Sequence, residues 1–180
     1  FNAADIIVVG QFAGDNALAA VGANTSFINL LTNLFMGLSI GANVLIARLY
    51  GAKNQKDLDR AVHTAMLLSI YSGILMTIIG ITSARYILVL MKTPAEVLDQ
   101  AVVYLRIYFI GVTSTMIYNF GSAVLRAIGD TKRPLYFLII AGIINVILNL
   151  IFVIVFGMGV AGVAIATAIA QSVAAFLIIK

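Results

Sequence analysis

The chain has 180 residues, of which 10% are charged and 62% apolar, against about 25% and roughly 45–50% in an ordinary soluble domain. Such a chain cannot cover itself with solvated side chains, which excludes a water-soluble monomer, and at about 30 residues per span and loop its length divides into about six helices. The net charge is +4, but the basic residues sit in short clusters between apolar runs, the pattern of membrane-protein loops rather than of a nucleic-acid surface, so no nucleic-acid partner is expected.

In chain order, the first apolar run covers residues 1–13 and ends in the turn signal Gly14-Asp15-Asn16. Thirteen helical residues rise only about 20 Å, short of a hydrocarbon core of about 30 Å. With no initiator Met and no basic leader, the start reads as a helix whose beginning is missing. The second run, 17–47, carries no charge and exceeds a straight span, and Gly51 is the expected C-cap beyond it. A third helix is predicted over 61–84 and a fourth over 98–125. The loop that follows, Arg126 to Pro134, supplies Gly129 to close one helix, Asp130 or Thr131 to cap the next, and Pro134 for its first turn. The fifth helix is predicted over 135–156, Gly157 and Gly159 break it, and the sixth covers 160–179. The whole chain thus reads as an all-α polytopic six-helix transmembrane bundle with a truncated first helix.

Lys and Arg concentrate between helices two and three (Arg48, Lys53, Lys56, Arg60) and between four and five (Arg126, Lys132, Arg133). The positive-inside rule assigns both loops, and both ends of the chain, to the cytoplasmic side of a cell membrane.

Polar residues inside the spans carry the functional reading, because each must face protein, water or an ion. Asp5 lies about 10–12 Å below the end of its helix. A carboxylate there is paired, hydrated, protonated or bound to a cation; its bland alternative is a structural hydrogen bond. Helix two bears a polar stripe of Thr25, Asn29, Thr32, Asn33, Ser39 and Asn43, and helix four a row of Thr115, Asn119, Ser122 and Arg126. Each row is either the wall of a water-filled cavity or a set of interhelical hydrogen bonds. Asn145 and Asn149 share a face of helix five, and Thr167 and Gln171 a face of helix six. With one carboxylate these oxygens could complete a shell around Na⁺ at Asp5; by themselves they read as packing. Gly10-x-x-x-Gly14 and Gly37-x-x-x-Gly41 predict close helix approach, and Tyr104, Tyr108 and Arg106 an interface.

No catalytic constellation is visible. The chain has no cysteine and a single histidine, His63, so thiol chemistry and a multi-His metal site are excluded. It shows no nucleophile–base pair and no phosphate-binding Gly-Lys motif. An enzyme is not expected, no cofactor is expected beyond a coupling ion, and transport would be secondary.

Five motifs resemble the multidrug and toxic compound extrusion (MATE) transporters. Asn2-Ala-Ala-Asp5-Ile-Ile-Val-Val-Gly10 is similar to the end of that family's first helix. Ala17-Leu-Ala-Ala-Val-Gly22 and Gly37-Leu-Ser-Ile-Gly-Ala42 are similar to parts of its second. Leu125-Arg-Ala-Ile-Gly-Asp-Thr-Lys-Arg-Pro134 resembles its loop between helices four and five, and Gly159-Val-Ala-Gly-Val-Ala-Ile-Ala-Thr167 the start of helix six. The resemblance implies twelve helices in two six-helix lobes, with residues 1–180 as most of the N-terminal lobe and the C-terminal lobe of the same polypeptide as its partner. It implies export of bulky, often cationic organic compounds in exchange for H⁺ or Na⁺ by alternating access. It also implies a coupling role for Asp5, Asn145 and Thr167. Asn149 stands where many prokaryotic members have Asp, which leaves one carboxylate in the site and favours a proton; a coupling site in the other lobe stays open. The alternatives are a lipid or lipid-linked sugar flippase of related architecture, which should have a strongly basic cavity, and a non-transporting membrane scaffold.

Overall fold

In lipid, a backbone N–H or C=O finds no water, so long apolar runs must satisfy their own hydrogen bonds as helices. The computed structural model describes residues 2–180; Phe1, the first residue of the first predicted run, lies outside the described residues. Six α-helices follow in order: α1 (Asn2–Phe12), α2 (Asp15–Gly51), α3 (Gln55–Leu90), α4 (Ala95–Ala127), α5 (Lys132–Leu150) and α6 (Gly159–Ile179). A π-helical turn, Ile151–Val155, continues α5. Five of these segments, α2 to α6, are long and apolar enough to cross a membrane.

The helices outrun the hydropathy signal at their ends. α3 starts at Gln55 because Asn54 accepts a hydrogen bond from the Asp57 amide, and its first turns, with Lys56, Asp57, Asp59 and Arg60, are helical although polar. Hydropathy reports where the hydrocarbon ends; capping decides where the helix ends. At 37 residues α2 is about 55 Å long, so it extends well past a core of about 30 Å. α2 also runs through Gly51, and the left-handed residue that turns the chain is Lys53, at φ 53°. At the next loop Gly129 does take the left-handed conformation, at φ 90°, and Asp130 accepts from the Arg133 amide at 3.1 Å.

α4 is the central element, packed against α2, α3 and α6. Its Leu105, Phe109 and Met116 are buried together with Val9 of α1 and Val163 of α6. Two asparagines fasten α2 to it at well-separated levels. Asn24 donates to the Ala101 carbonyl at 3.1 Å, and Asn43 to the Ala123 carbonyl at 2.7 Å. Replacing Asn43 with Leu is expected to lower stability by about 0.5–1.5 kcal/mol, read as a lower melting midpoint in detergent.

Among the described residues nothing packs against Gly37 or Gly41: both are exposed, and a β-carbon on either would meet nothing within 4 Å. Gly10 reaches only the Leu18 methyl groups, and Gly14 serves as the left-handed turn before α2. Close approach occurs instead at Gly73 and Gly80, where α3 meets α4, and at Gly111 and Gly121, where α4 meets α6. Spacing alone does not say which face of a helix has a neighbour. The outward faces carry Leu34, Val44, Leu75 and Ile78, all exposed, as lipid-facing surfaces require.

Candidate functional site: a sealed carboxylate beside an open cavity

Four helices converge on Asp5. α1 presents the carboxylate, α5 presents Asn145 and Asn149 one turn apart, α6 presents Thr167 and α4 presents Tyr104. All five side chains are buried, Asp5, Asn145 and Asn149 completely. The Asn149 amide donates to one Asp5 oxygen at 2.8 Å, and the Thr167 hydroxyl donates to the other at 2.9 Å. The Tyr104 hydroxyl donates to that second oxygen at 3.4 Å. Behind them, the Asn145 amide donates to the Thr167 hydroxyl oxygen at 3.0 Å and accepts from Asn149 at 3.4 Å.

The direction of these bonds defines the chemistry. Every group touching Asp5 donates, which is the shell that stabilises a buried carboxylate anion without a basic partner. Asn149 Oδ1 has no partner, so the site holds one unspent amide oxygen beside the carboxylate. The oxygens of Asp5, Thr167, Asn145 and Asn149 are the hard donors that could hold Na⁺ if the amides turned. No cluster of three or more His, Cys, Asp or Glu side chains suited to a metal occurs among the described residues. The π-helical turn begins two residues after Asn149, a local widening that recurs at functional positions in helices.

A cavity of about 420 Å³ opens beside this site, within the range of small-molecule pockets. Its polar lining comprises Asn29 and Thr32 of α2, Thr115 and Asn119 of α4 and Gln171 of α6, with Tyr108 and Tyr118 as aromatic walls. No charged side chain lines it among the described residues, so this part of the wall does not carry the basic surface expected of the flippase alternative.

Three residues expected in the cavity lie elsewhere. The Thr25 hydroxyl turns back to the Val21 carbonyl of its own helix at 3.1 Å, Asn43 is spent on α4, and Asn33 is exposed outside the lining. The cavity takes Ile28, Asn29, Thr32 and Met36, a run of two turns on one face; Asn33 is rotated about 100° from Thr32.

Tyr104 and Tyr108 are not interface aromatics. They are 1% and 9% exposed, and their rings stack with centroids 6.2 Å apart. Tyr108 lines the cavity while Tyr104 touches Asp5, so the stacked pair is the wall between cavity and carboxylate. A signal for this was present in the sequence: Tyr104 and Tyr108 extend the Thr115, Asn119 row by whole helical turns toward the start of α4. Asn24, buried and bonded to α4, was likewise outside the predicted stripe.

Membrane-spanning helices that enclose an occluded carboxylate next to a neutral cavity define a polytopic membrane transport protein. The MatE family model matches residues 1–151, and the chain belongs to that family, the multidrug and toxic compound extrusion transporters. It is 33% identical over 178 residues to the probable multidrug resistance protein YoeA of Bacillus subtilis (strain 168), covering 97% of this chain and 38% of that protein. Among solved structures it is similar to MATE in the bent conformation, with a TM-score of 0.92 and 30% identity over 98% of this chain and 39% of that one. An inward-facing multidrug resistance MATE transporter matches with a TM-score of 0.90 and 28% identity, covering 99% of this chain and 40% of that one. The chain therefore spans about two fifths of the length of the relatives it matches.

Proposed function

We propose that residues 1–180 form one lobe of a secondary active antiporter that exports organic, often cationic, compounds in exchange for H⁺ or Na⁺. The other lobe would be its partner, and the turns after α2 and α4 would face the cytoplasm. The observation that carries this reading is the Asp5 site. One carboxylate accepts hydrogen bonds from α4, α5 and α6, so its charge state sets how α1 is held to three other helices. Protonating or metallating Asp5 changes those contacts, and only such a differential interaction can shift an equilibrium between outward-open and inward-open states. Seven basic residues on or flanking the turns after α2 and α4 (Arg48, Lys53, Lys56, Arg60, Arg126, Lys132 and Arg133), at the end where Tyr50, Gln55, Val124 and Ile128 meet around one depression, support the sidedness.

The reading is tested with the intact transporter in proteoliposomes under an imposed pH or Na⁺ gradient, following a fluorescent organic cation. Gradient-driven movement identifies the ion; no movement under either gradient, with folded protein and a panel of organic substrates, overturns the reading. The single carboxylate favours a proton. Accordingly, Asn149→Asp, which would put a second carboxylate at hydrogen-bond distance from Asp5, is expected to make transport respond to a Na⁺ gradient. Two acids that close must share a proton or a cation. Na⁺-driven uptake by this variant, compared with the parent at matched expression, checks the expectation.

A further inference from the structure

Arg106 is a basic residue on α4, away from the basic cluster at its end, that the site described above does not use. It is exposed, and among the described residues it forms no ion pair. The nearest acid toward the start of α4, Asp99, lies seven residues and about 10 Å away and is bonded to Arg85 at 2.9 Å. Toward the other end the next charge is Arg126. The 19 residues from 107 to 125 between them are uncharged and rise about 28 Å, the thickness of a hydrocarbon core. Arg106 therefore stands at the boundary of that core, on an outward face, and among the described residues no acid pairs with it.

A groove of about 560 Å³ begins beside it. Its floor is made by small residues, because Gly111 lets α4 approach Ala168 so closely that a β-carbon there would sit 3.0 Å from the Ala168 α-carbon. Ser172 continues the floor, and Ile110, Ile169 and Phe176 rise as its walls. Ile110 and Phe176 are 62% and 67% exposed, so the walls face lipid. On α6 the groove extends from Ile165 to Phe176, about 16 Å along the helix. It starts at the boundary marked by Arg106 and runs toward the bilayer centre. Arg106 and Ile110 are four residues apart on α4 and so share a face.

We infer that this α4–α6 face binds a phospholipid of the leaflet on the α1–α2 turn side, its phosphate on the Arg106 guanidinium and one acyl chain in the groove. Charge complementarity selects this occupant. A guanidinium at the core boundary meets phosphates at its own depth and pairs with them through planar, bidentate hydrogen bonds. The groove below accepts an unbranched apolar chain and offers no charged group. The order of the two parts, charge at the boundary and apolar channel inward, is the order of headgroup and chain in a lipid.

The test uses the intact transporter, purified in mild detergent and exchanged against phosphatidylglycerol or diacylglycerol with identical chains, with retained lipid counted by native mass spectrometry. Phosphatidylglycerol is expected to be retained about fivefold over diacylglycerol. Arg106→Gln should bring that ratio to near one, and Arg106→Lys should keep most of it. Ser172→Phe, which fills the groove and leaves Arg106 in place, should lower retention of both lipids. Melting curves of each variant verify folding, and if Arg106→Gln does not fold, Arg106→Lys and Ser172→Phe decide. Equal retention of the two lipids by the parent, an unchanged ratio in Arg106→Gln, or unchanged retention in Ser172→Phe overturns the inference. So does no retained lipid in the parent, the result expected if another segment or a second copy covers this face. The test is independent of which ion or substrate is transported.

Discussion

Asp5→Asn in the intact transporter is expected to reduce ion-driven substrate movement to the level of protein-free vesicles while leaving the protein folded. The substitution conserves volume but changes what the buried group can do. The carboxylate accepts from Asn149 on one oxygen and from Thr167 and Tyr104 on the other. A carboxamide offers one oxygen and two N–H donors: its oxygen can still accept from Asn149, but the Thr167 and Tyr104 hydroxyls must turn from donating to accepting, and every bond loses its charged partner. The loss of a hydrogen bond to a charged group is worth about 1.5–3 kcal/mol, enough to loosen α1 from α5 and α6. It is not enough to unfold a bundle whose centre is α4.

The decisive consequence is that Asn at this position takes up no proton and brings no negative charge to offset a bound Na⁺, so a gradient loses its handle on the conformational equilibrium. The cavity residues Asn29, Thr32, Asn119 and Gln171 are untouched, so equilibrium binding of the organic cation should remain within a few-fold of the parent. Uptake in proteoliposomes and binding in detergent separate the two effects. Gradient-driven uptake within twofold of the parent, at matched expression, would remove Asp5 from coupling and move the search to the other lobe.

Gly80→Val is expected to be the most destabilising single change in the α3–α4 interface. A β-carbon at Gly80 would overlap the Cγ, Cδ1 and Cδ2 atoms of the Phe109 ring, and that ring has nowhere to go. Phe109 is 1% exposed, packs edge-on against Tyr108 with centroids 6.4 Å apart, and contacts Phe27 of α2 at 6.1 Å. One turn from Gly80, the Thr77 hydroxyl donates to the Phe109 carbonyl at 2.7 Å, which fixes the register of the two helices. Overpacking of this kind costs about 1–3 kcal/mol when neighbours can shift, and more where they cannot. The variant should either lose about 3 kcal/mol or more of stability or fail to accumulate in the membrane.

Gly41→Ala, at an exposed position with open space, should stay within about 0.5 kcal/mol of the parent. Fluorescence-detected melting of the pair tests the contrast. Adding Phe109→Ala to Gly80→Val should recover part of the loss, because the two side chains compete for one volume. An unaffected Gly80→Val protein would mean that α3 and α4 do not approach as described.

Hydropathy and charge determined the class of molecule and the approximate number of spans. Both follow from one-dimensional quantities: how long a run avoids charge, and where Lys and Arg cluster. The rarity of an acid in an apolar run singled out Asp5, and the periodicity of amides and hydroxyls singled out Asn145, Asn149 and Thr167. The tertiary structure decided what those residues meet. Whether a polar side chain lines a cavity or bonds a neighbouring carbonyl depends on the rotation of its helix against the others. That rotation separated Asn29 and Thr32, in the cavity, from Asn43, on the Ala123 carbonyl, although one stripe contained all three.

The same holds for glycine. Gly37-x-x-x-Gly41 has the glycine spacing of a packing motif and no neighbour among the described residues, while Gly80, with no glycine four residues away, has Phe109 against it. Tyr104 and Tyr108 show the limit most clearly. Near a helix end, an aromatic with a hydroxyl suits a membrane interface and a buried carboxylate equally well, and only the arrival of α1 and α6 against that face of α4 gave Tyr104 an anion to bond.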